Sequence, residues 1–257
     1  MNHMADLAPL RAYYTAALPY YDLSLSDRGD LPFWAAMAGR WGAKRILELG
    51  CGTGRVTPVL CAQASTTAVD VLIELLPSAI RRAPDAQFVV ADLRELAFAS
   101  AFDLVVLADD PMAHLTSSAE RMTVMKSIAR HLAPEGRLVL EGLYRAPGKA
   151  PLVPSRDIVR DGTTLFTVDE SWEPAGESAL WKATYRYRMG SAITEIASVL
   201  RSWTSEEVAR LPECGLEVES LWGDFDERPF SPAAPRMVIV AKKGRALRLA
   251  LPVQLDE

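Results

Sequence analysis

Three glycines, Gly50, Gly52 and Gly54, lie two residues apart directly after an apolar segment that predicts a β-strand over residues 44–49. Glycine lets the backbone approach a ligand where a Cβ atom would collide, and the first N–H groups of a following helix can bind a polar ligand. A dinucleotide-binding loop would place its third glycine at position 55, which is Arg55. The spacing therefore indicates a ligand loop but disfavours a nicotinamide site, although a tight turn needs such glycines for packing alone.

Two aspartates follow the next two predicted strands. Asp70 ends a strand over residues 66–70, and Asp92 comes after a strand over residues 87–90. The Asp70 carboxylate can accept hydrogen bonds from both hydroxyls of a ribose. The Asp92 carboxylate can accept a hydrogen bond from the exocyclic amine of an adenine. Either aspartate could instead cap the following helix. Because strand ends on one edge of a parallel sheet face the same crevice, the pair favours an adenosine site.

Strands and helices alternate between residues 43 and 143. Helices are predicted over residues 55–62, 72–82 and 117–132, and further strands over residues 102–107 and 137–141. The strand over residues 102–107 is largely apolar, which suits a strand buried on both faces. This alternation predicts an α/β fold with a parallel, doubly wound sheet.

These motifs occur together in one known family. Residues 46–55, which read ILELGCGTGR, resemble the first motif of the class I S-adenosylmethionine-dependent methyltransferases, small-molecule type. Residues 69–70, 91–93 and 102–105 are similar to the next three motifs, and residues 132–138 to the turn into the fifth strand. The resemblance implies a Rossmann-like, seven-stranded sheet with an antiparallel last strand, completed by residues 215–241. It also implies S-adenosyl-L-methionine as cofactor, S-adenosyl-L-homocysteine as its product, and no metal.

The resemblance also assigns cofactor contacts residue by residue. Glu48 and the glycines would surround the methionine portion, Asp70 would hold the ribose, and Asp92 with the Leu93 backbone would bind the adenine. Tyr13 or Tyr21 would cover the cofactor, although both could simply pack a helix. Leu72 and Leu93 would sandwich the adenine ring, and Leu107 or Ala108 would offer a backbone oxygen to the cofactor's amino group. The full set implied is Tyr13, Tyr21, Glu48, Gly50, Cys51, Gly52, Gly54, Asp70, Val71, Leu72, Ala91, Asp92, Leu93, Leu107 and Ala108.

The candidate catalytic residues are Asp109, Asp110 and His114, which follow the fourth strand. Methyl transfer from a sulfonium is a direct displacement, so alignment and exclusion of water matter most, and a base is needed only when the acceptor must lose a proton. His114 is the candidate base, with packing beside the next helix as the alternative. Asp109 or Asp110 can bind an amine or orient His114, or can form a solvated loop pair.

Residues 144–203 predict an antiparallel β flap, with strands over residues 163–172, 180–189 and 193–203. Its aromatic side chains can cover a flat acceptor or form the flap's own core. The predicted acceptor contacts are Tyr14, Trp34, Phe166, Trp172 and Tyr185. The predicted division of the chain is a helical cap (1–42), a cofactor-binding core (43–143), the flap (144–203), completion of the core sheet (204–243) and a tail (244–257).

Composition restricts the partners. The 257 residues are 49% hydrophobic and 24% charged, and the net charge of −5 gives no general attraction for nucleic acid. Cys51, Cys61 and Cys214 match neither a metal motif nor a disulfide framework. The sequence shows no secretory leader and no stretch of membrane-spanning length. We therefore expect a cytoplasmic protein without nucleic-acid or membrane partners.

The sequence predicts methyl transfer to an oxygen, nitrogen or carbon atom of a small, aromatic or amine-bearing acceptor from secondary metabolism. A methyltransferase acting on RNA or protein is the alternative within enzymes, and the acidic charge balance counts against it. A non-catalytic protein that binds the cofactor and acts through other proteins is the alternative outside enzymes.

Overall fold

The computed structural model describes residues 7–26, 28–146 and 153–244. The helices are α1 (Ala8–Ser24), α2 (Leu31–Arg40), α3 (Thr57–Cys61), α4 (Leu76–Arg82), α5 (Ser118–His131) and α6 (Ser205–Ala209). The strands are β1 (Arg45–Leu49), β2 (Ser65–Asp70), β3 (Gln87–Val90), β4 (Phe102–Leu107), β5 (Leu132–Gly142), β6 (Arg156–Arg160), β7 (Thr163–Pro174), β8 (Leu180–Met189), β9 (Ala192–Arg201), β10 (Leu216–Trp222) and β11 (Met237–Lys243). The predicted cap, flap and tail extend into residues 1–6, 147–152 and 245–257, which lie outside the described residues.

The main sheet has seven strands in the order β10-β11-β5-β4-β1-β2-β3. Strands β1 to β5 pair in parallel, whereas β11 is antiparallel to both β5 and β10. The predicted doubly wound sheet with an antiparallel last strand is confirmed. The order reverses between β1 and β4, and in sheets of this kind ligands bind beyond the strand ends at that point.

Alternating side chains of the central strands pack into two separate cores. In β4, Leu104 and Val106 belong to the core that includes α2, whereas Val105 and Leu107 belong to the core that includes α5. This alternation follows from the two-residue period of a strand. The prediction that this strand is buried on both faces is therefore confirmed. Its packing on both sides fixes the position of the loop that follows β4.

The flap is a four-stranded antiparallel sheet in the order β6-β7-β8-β9. Strand β6 was not predicted from the sequence. Asp161 and Gly162 both adopt positive φ between β6 and β7, at 51° and 73°. Such a two-residue turn is typical of a hairpin, so the Asp-Gly pair was the available signal.

Helix α1 joins the flap to the main sheet's ligand edge. The Tyr20 ring stacks on Tyr187 of the flap, with centroids 4.3 Å apart, and its hydroxyl lies 2.8 Å from Thr194 Oγ1. Phe166 and Ile196 bury apolar surface in the same cluster. The helical cap and the flap therefore enclose one space between them.

A buried ion network lies behind the loop that follows β4. Arg121 of α5 is fully buried, and its guanidinium lies 3.4 Å from both Asp110 and Glu207. It also lies over the Trp203 ring, 4.2 Å from the centroid. Each buried charge thus depends on its partners.

Within the described residues, no helix is long and apolar enough to cross a membrane. In the same part of the chain, no group of three or more His, Cys, Asp or Glu side chains is placed to hold a metal ion.

We expect Arg121→Ala to lower the free energy of unfolding by about 3–5 kcal/mol, because Asp110 keeps a buried charge without its partner and Glu207 is left with Arg201 alone. Arg186→Ala removes an exposed partner of Glu195 on the flap and should leave the free energy of unfolding nearly unchanged. Urea denaturation followed by tryptophan fluorescence measures both variants. Equal losses would contradict a stabilising role for the network.

Candidate functional site

The glycine loop connects β1 to α3 and packs directly against the turn that follows β4. Gly50 has φ of +73°, and a Cβ atom there would lie 2.2 Å from Pro111 Cβ. Gly52 also has positive φ, and a Cβ there would meet only the Tyr21 hydroxyl, at 3.6 Å. Gly50 therefore permits the approach of two loops, whereas Gly52 leaves room on the floor of a crevice.

Asp70 shapes that crevice from the end of β2. Its carboxylate accepts hydrogen bonds from the backbone N–H of Gly52 at 2.8 Å and of Leu72 at 2.9 Å. Burial raises the pKa of Asp70, and these backbone N–H donors oppose the rise. The carboxylate thus holds the glycine loop in place and lies on the crevice wall.

Asp92, after β3, caps a short 3₁₀ helix by accepting from the Arg94 backbone N–H at 2.9 Å. It also pairs with the Arg94 guanidinium at 2.7 Å. Asp92 therefore does cap the following helix, which was the alternative to a role in ligand binding. Its side chain still lines the crevice, together with Leu72 and Leu93.

A larger cavity of about 770 Å³ adjoins the crevice. Tyr14, Tyr21 and His114 line both spaces, so they form the wall where the two meet. Asp109 lines the larger cavity only. This arrangement places two ligands side by side, with aromatic and titratable groups at their junction.

The chain was compared with known proteins. A family model described as a methyltransferase domain matches residues 46–136. A protein of Geobacillus sp. (strain WCH70), whose name assigns it provisionally to the methyltransferases, is 32% identical over 216 residues, covering 80% of this chain and 87% of its own. The chain belongs to the class I S-adenosylmethionine-dependent methyltransferases.

Two further proteins are similar to this methyltransferase over most of its length. The cypemycin N-terminal methyltransferase of Streptomyces sp is 27% identical, covering 90% of this chain and 97% of its own. A solved structure of an amino pentose methyltransferase from Micromonospora echinaspora, with S-adenosylmethionine bound, has a TM-score of 0.70 at 22% identity and covers 87% of this chain and 96% of its own. The second likeness shows the shared fold.

The crevice of this methyltransferase fits S-adenosylmethionine. It offers carboxylates at the ends of β2 and β3, two leucines for an apolar ring, and a floor at Gly52 that lacks a side chain. Of the residues predicted to contact the cofactor, the crevice is lined by Tyr21, Gly50, Gly52, Asp70, Val71, Leu72, Asp92 and Leu93.

Other residues predicted to contact the cofactor lie elsewhere in the methyltransferase. Tyr13 lines the larger cavity instead. Glu48 is 2% exposed beneath the loop and accepts from Thr57 Oγ1 at 2.6 Å, and burial raises its pKa to about 7. The crevice lining does not include Cys51, Gly54, Ala91, Leu107 or Ala108, whose contacts with the cofactor, among them a backbone oxygen of Leu107 or Ala108, stay predictions.

The loop after β4 holds Asp109 and Asp110 in strained conformations, with φ of 59° and 38°. Glu141, at the end of β5, fixes both: its carboxylate accepts from the Asp109 N–H at 2.8 Å, and its carbonyl accepts from the Asp110 N–H at 3.1 Å. The Asp109 carboxylate accepts from Arg28 at 2.6 Å. Arg28 also pairs with Glu141, and thereby ties the segment after α1 to this loop.

Asp110 also borders the larger cavity, but its carboxylate is buried rather than solvated. Its carboxylate is 4% exposed, accepts from the Leu143 N–H at 2.8 Å and faces Arg121. Burial raises the pKa of Asp110 to about 6, against the opposing charge of Arg121. Asp110 therefore positions the loop, whereas Asp109 keeps its carboxylate 36% exposed at the cavity.

His114 ends the short 3₁₀ helix that begins at Pro111. Its Nε2 lies 3.3 Å from the Tyr14 hydroxyl, and the Tyr13 ring lies 5.5 Å away, edge to face. Burial lowers the pKa of His114 to about 4, with the Asp109 charge opposing the shift. The imidazole is therefore neutral at pH 7.

Two of the predicted acceptor contacts lie away from the larger cavity. Trp34 is fully buried in the core beside α2, where its Nε1 donates to Asp30 at 3.0 Å. Phe166 is 3% exposed and packs between the flap and Tyr20. Tyr14, Trp172 and Tyr185 line the larger cavity, and their contact with an acceptor stays a prediction.

Several cavity residues were missed because their sequence neighbours give no sign of them. Arg28, Tyr144, Arg145, Glu170 and Arg236 all line the larger cavity, and each reaches it through tertiary contacts. Glu141 did carry a signal, since a carboxylate ends an otherwise apolar strand on the ligand edge of the sheet.

We expect Asp70→Asn to weaken binding of S-adenosylhomocysteine by about 1–3 kcal/mol, because an acceptor for ribose hydroxyls and loop N–H groups is impaired. Asp103→Asn is the matched control: Asp103 also accepts from two backbone N–H groups, those of Lys44 and Arg45, but does not line the crevice. Isothermal titration calorimetry measures both affinities. Unchanged binding by Asp70→Asn would remove Asp70 from the cofactor site.

Since burial lowers the pKa of His114 to about 4, its ring should stay neutral from about pH 8 down to about pH 5, where an unperturbed histidine would already be protonated. Carbon-bound imidazole proton signals in NMR spectra report this directly, and the His114 signal is identified by its loss in His114→Gln. A midpoint between about pH 6 and 7 would show that the ring is not desolvated.

Proposed function

We propose that this methyltransferase methylates an amine nitrogen of a small metabolite. The observation that carries the proposal is that a partly exposed carboxylate, Asp109, lines the cavity near the neutral imidazole of His114, which lies at the junction with the crevice. Two of the similar proteins act, by their names, on an N-terminus and on an amino pentose. Both acceptors bear an amine.

In this proposal Asp70 holds the ribose and Asp92, Leu72 and Leu93 surround the adenine. Tyr21 covers the cofactor from α1. The core segments 43–143 and 204–243 bind the cofactor, while the cap 1–42 and the flap 144–203 enclose the acceptor. The contact of α1 with the flap supports that division, because it closes the cavity on the side away from the sheet.

S-adenosylmethionine, when bound, supplies a methyl group activated by a sulfonium, and the sulfur keeps the electron pair of the broken bond. Asp109 accepts a hydrogen bond from the acceptor amine and offsets the positive charge that nitrogen gains. In the tautomer whose Nε2–H donates to the Tyr14 hydroxyl, Nδ1 of His114 accepts a second hydrogen bond from the amine, which leaves the amine lone pair free to be aligned.

His114 is not the proton-abstracting base in this scheme. A group with a pKa of about 4 draws a proton from an ammonium ion only poorly at neutral pH. The amine must therefore reach the site uncharged, and the ammonium product loses its proton after transfer. The raised pKa values of Tyr14 and Tyr21, caused by burial, keep both phenols protonated. Alignment rather than proton removal supplies the catalysis.

The test uses cofactor labelled in its methyl group and acceptors that differ in one group: tyramine, its alcohol analogue tyrosol, and 4-hydroxyphenylacetic acid. We expect label in the amine only, with kcat/KM rising with pH as the amine loses its proton. Asp109→Asn should lower kcat/KM for the amine at least about tenfold, equivalent to ~1.4 kcal/mol.

Asp157→Asn is the control for Asp109→Asn, because Asp157 is an exposed flap residue that accepts from Thr167. S-adenosylhomocysteine binding to both variants should match the unaltered protein. Label in the alcohol or acid alone would move the acceptor atom to oxygen, and transfer to none of a wider set of small acceptors would favour a non-catalytic role.

A further inference from the structure

The wall of the larger cavity runs from His114 through a chain of aromatic contacts to an arginine. Ring centroids are 5.5 Å apart for His114 and Tyr13, 6.5 Å for Tyr13 and Tyr185, and 6.4 Å for Tyr185 and Trp172. The guanidinium of Arg145 lies over the Trp172 ring, 4.1 Å from its centroid. Three ring contacts therefore separate Arg145 from the junction with the crevice.

The guanidinium of Arg145 is only partly satisfied. Its Nη1 donates to the Tyr144 carbonyl at 2.9 Å, whereas its Nε is shielded from water and has no hydrogen-bond partner among the described residues. The nearest carboxylate, Glu170, lies 3.6 Å from Nη2, which is beyond hydrogen-bond range, and already accepts from Trp172 Nε1 at 2.5 Å. Nε is therefore closed to a ligand, whereas the terminal Nη1 and Nη2 groups keep N–H donors that no acceptor within hydrogen-bond range uses among the described residues.

Those terminal N–H groups can bind a carboxylate or phosphate through two parallel N–H bonds. The side chain is 19% exposed, and stacking on Trp172 fixes the plane of the guanidinium. Arg156 lines the same cavity and forms no ion pair within the described part of the chain, so it adds a second positive charge. Arg236, also in the lining, is occupied by Asp224 and Glu141.

We infer that Arg145 binds an anionic group of the acceptor, a carboxylate or a phosphate, and so selects acceptors that carry an amine at one end and an acid at the other. The acceptor then spans the aromatic row, with its amine beside Asp109 and His114. This inference deepens the proposed function and rests on it for the position of the amine. Burial lowers the pKa of Arg145 against the charge of Glu170, as expected for a guanidinium that lacks a full counter-charge.

Matched acceptors test the selection, each with its amine and its acid at opposite ends: tyramine against 4-(2-aminoethyl)benzoic acid for a carboxylate, and tyramine against tyramine O-phosphate for a phosphate. We expect the acidic member of at least one pair to have a KM at least about tenfold lower, with similar kcat. Arg145→Gln should abolish that preference by raising KM for the acidic member, and Arg145→Lys should restore part of it, since a point charge replaces the two-bond contact.

A binding measurement keeps the inference separate from the proposed function. Inorganic pyrophosphate and citrate are titrated by calorimetry into the protein saturated with S-adenosylhomocysteine. We expect at least one of them to bind, and to bind about tenfold or more weakly to Arg145→Gln but equally well to Arg186→Gln, a change on the exposed flap surface. Thermal unfolding and S-adenosylhomocysteine affinity verify that Arg145→Gln is folded.

Methylation of amines without preference for the acidic members would overturn the inference while leaving the proposed function intact. Anion binding that depends on Arg145, with no amine methylated, would support the anion site and contradict the amine acceptor. If neither anion binds, or if Arg145→Gln and the unaltered protein bind it equally well, the inference is overturned. Arg145 would then serve only to pack against Trp172.

Discussion

The close approach of Gly50 to Pro111 is the contact on which the rest of the site depends. The loop after β1 and the turn after β4 leave neighbouring strands, and no side chain larger than hydrogen fits between them. Because the two loops touch, the residue three positions beyond Pro111, His114, reaches the crevice that the glycines line. The donor and acceptor spaces adjoin for this reason, and a methyl displacement requires that adjacency more than it requires any base.

Arg28 and the carboxylates beside it form an ion network at the edge of the cavity. Arg28 pairs with Asp109 and Glu141, and it also approaches Asp30 at 3.6 Å. Removing water from these groups is costly, so pairing is what allows them to lie beside an aromatic wall. Arg28 therefore links the segment that follows α1 to the loop that carries Asp109, and Tyr14 and Tyr21 reach the crevice from α1 itself.

The sequence could predict those parts of the molecule in which a residue's role follows from its position next to a strand or helix. The glycine loop, Asp70 and Asp92 are fixed by their position after strands, so both the fold and the crevice could be inferred from spacing. Trp34 could not be placed correctly, because the sequence does not show which face of α2 meets the core, where Asp30 binds its indole. Arg28 and Arg145 acquire their roles only from residues more than twenty positions away. Strand β6 was missed because prolines precede it, although the Asp-Gly turn after it was informative.

Backbone strain beside the site explains why Asp109 and Asp110 behave differently despite their identical chemistry. A non-glycine residue with positive φ costs about 1–3 kcal/mol, and two in succession persist only where surrounding contacts hold them. Here Glu141 receives both N–H groups, while Leu143 and Arg121 hold the second carboxylate. The strain turns one carboxylate inward, where it supports the loop, and leaves the other at the cavity. The backbone thus gives the two aspartates different surroundings: Asp109 presents a partly exposed carboxylate to the cavity, while the Asp110 carboxylate stays buried against Arg121.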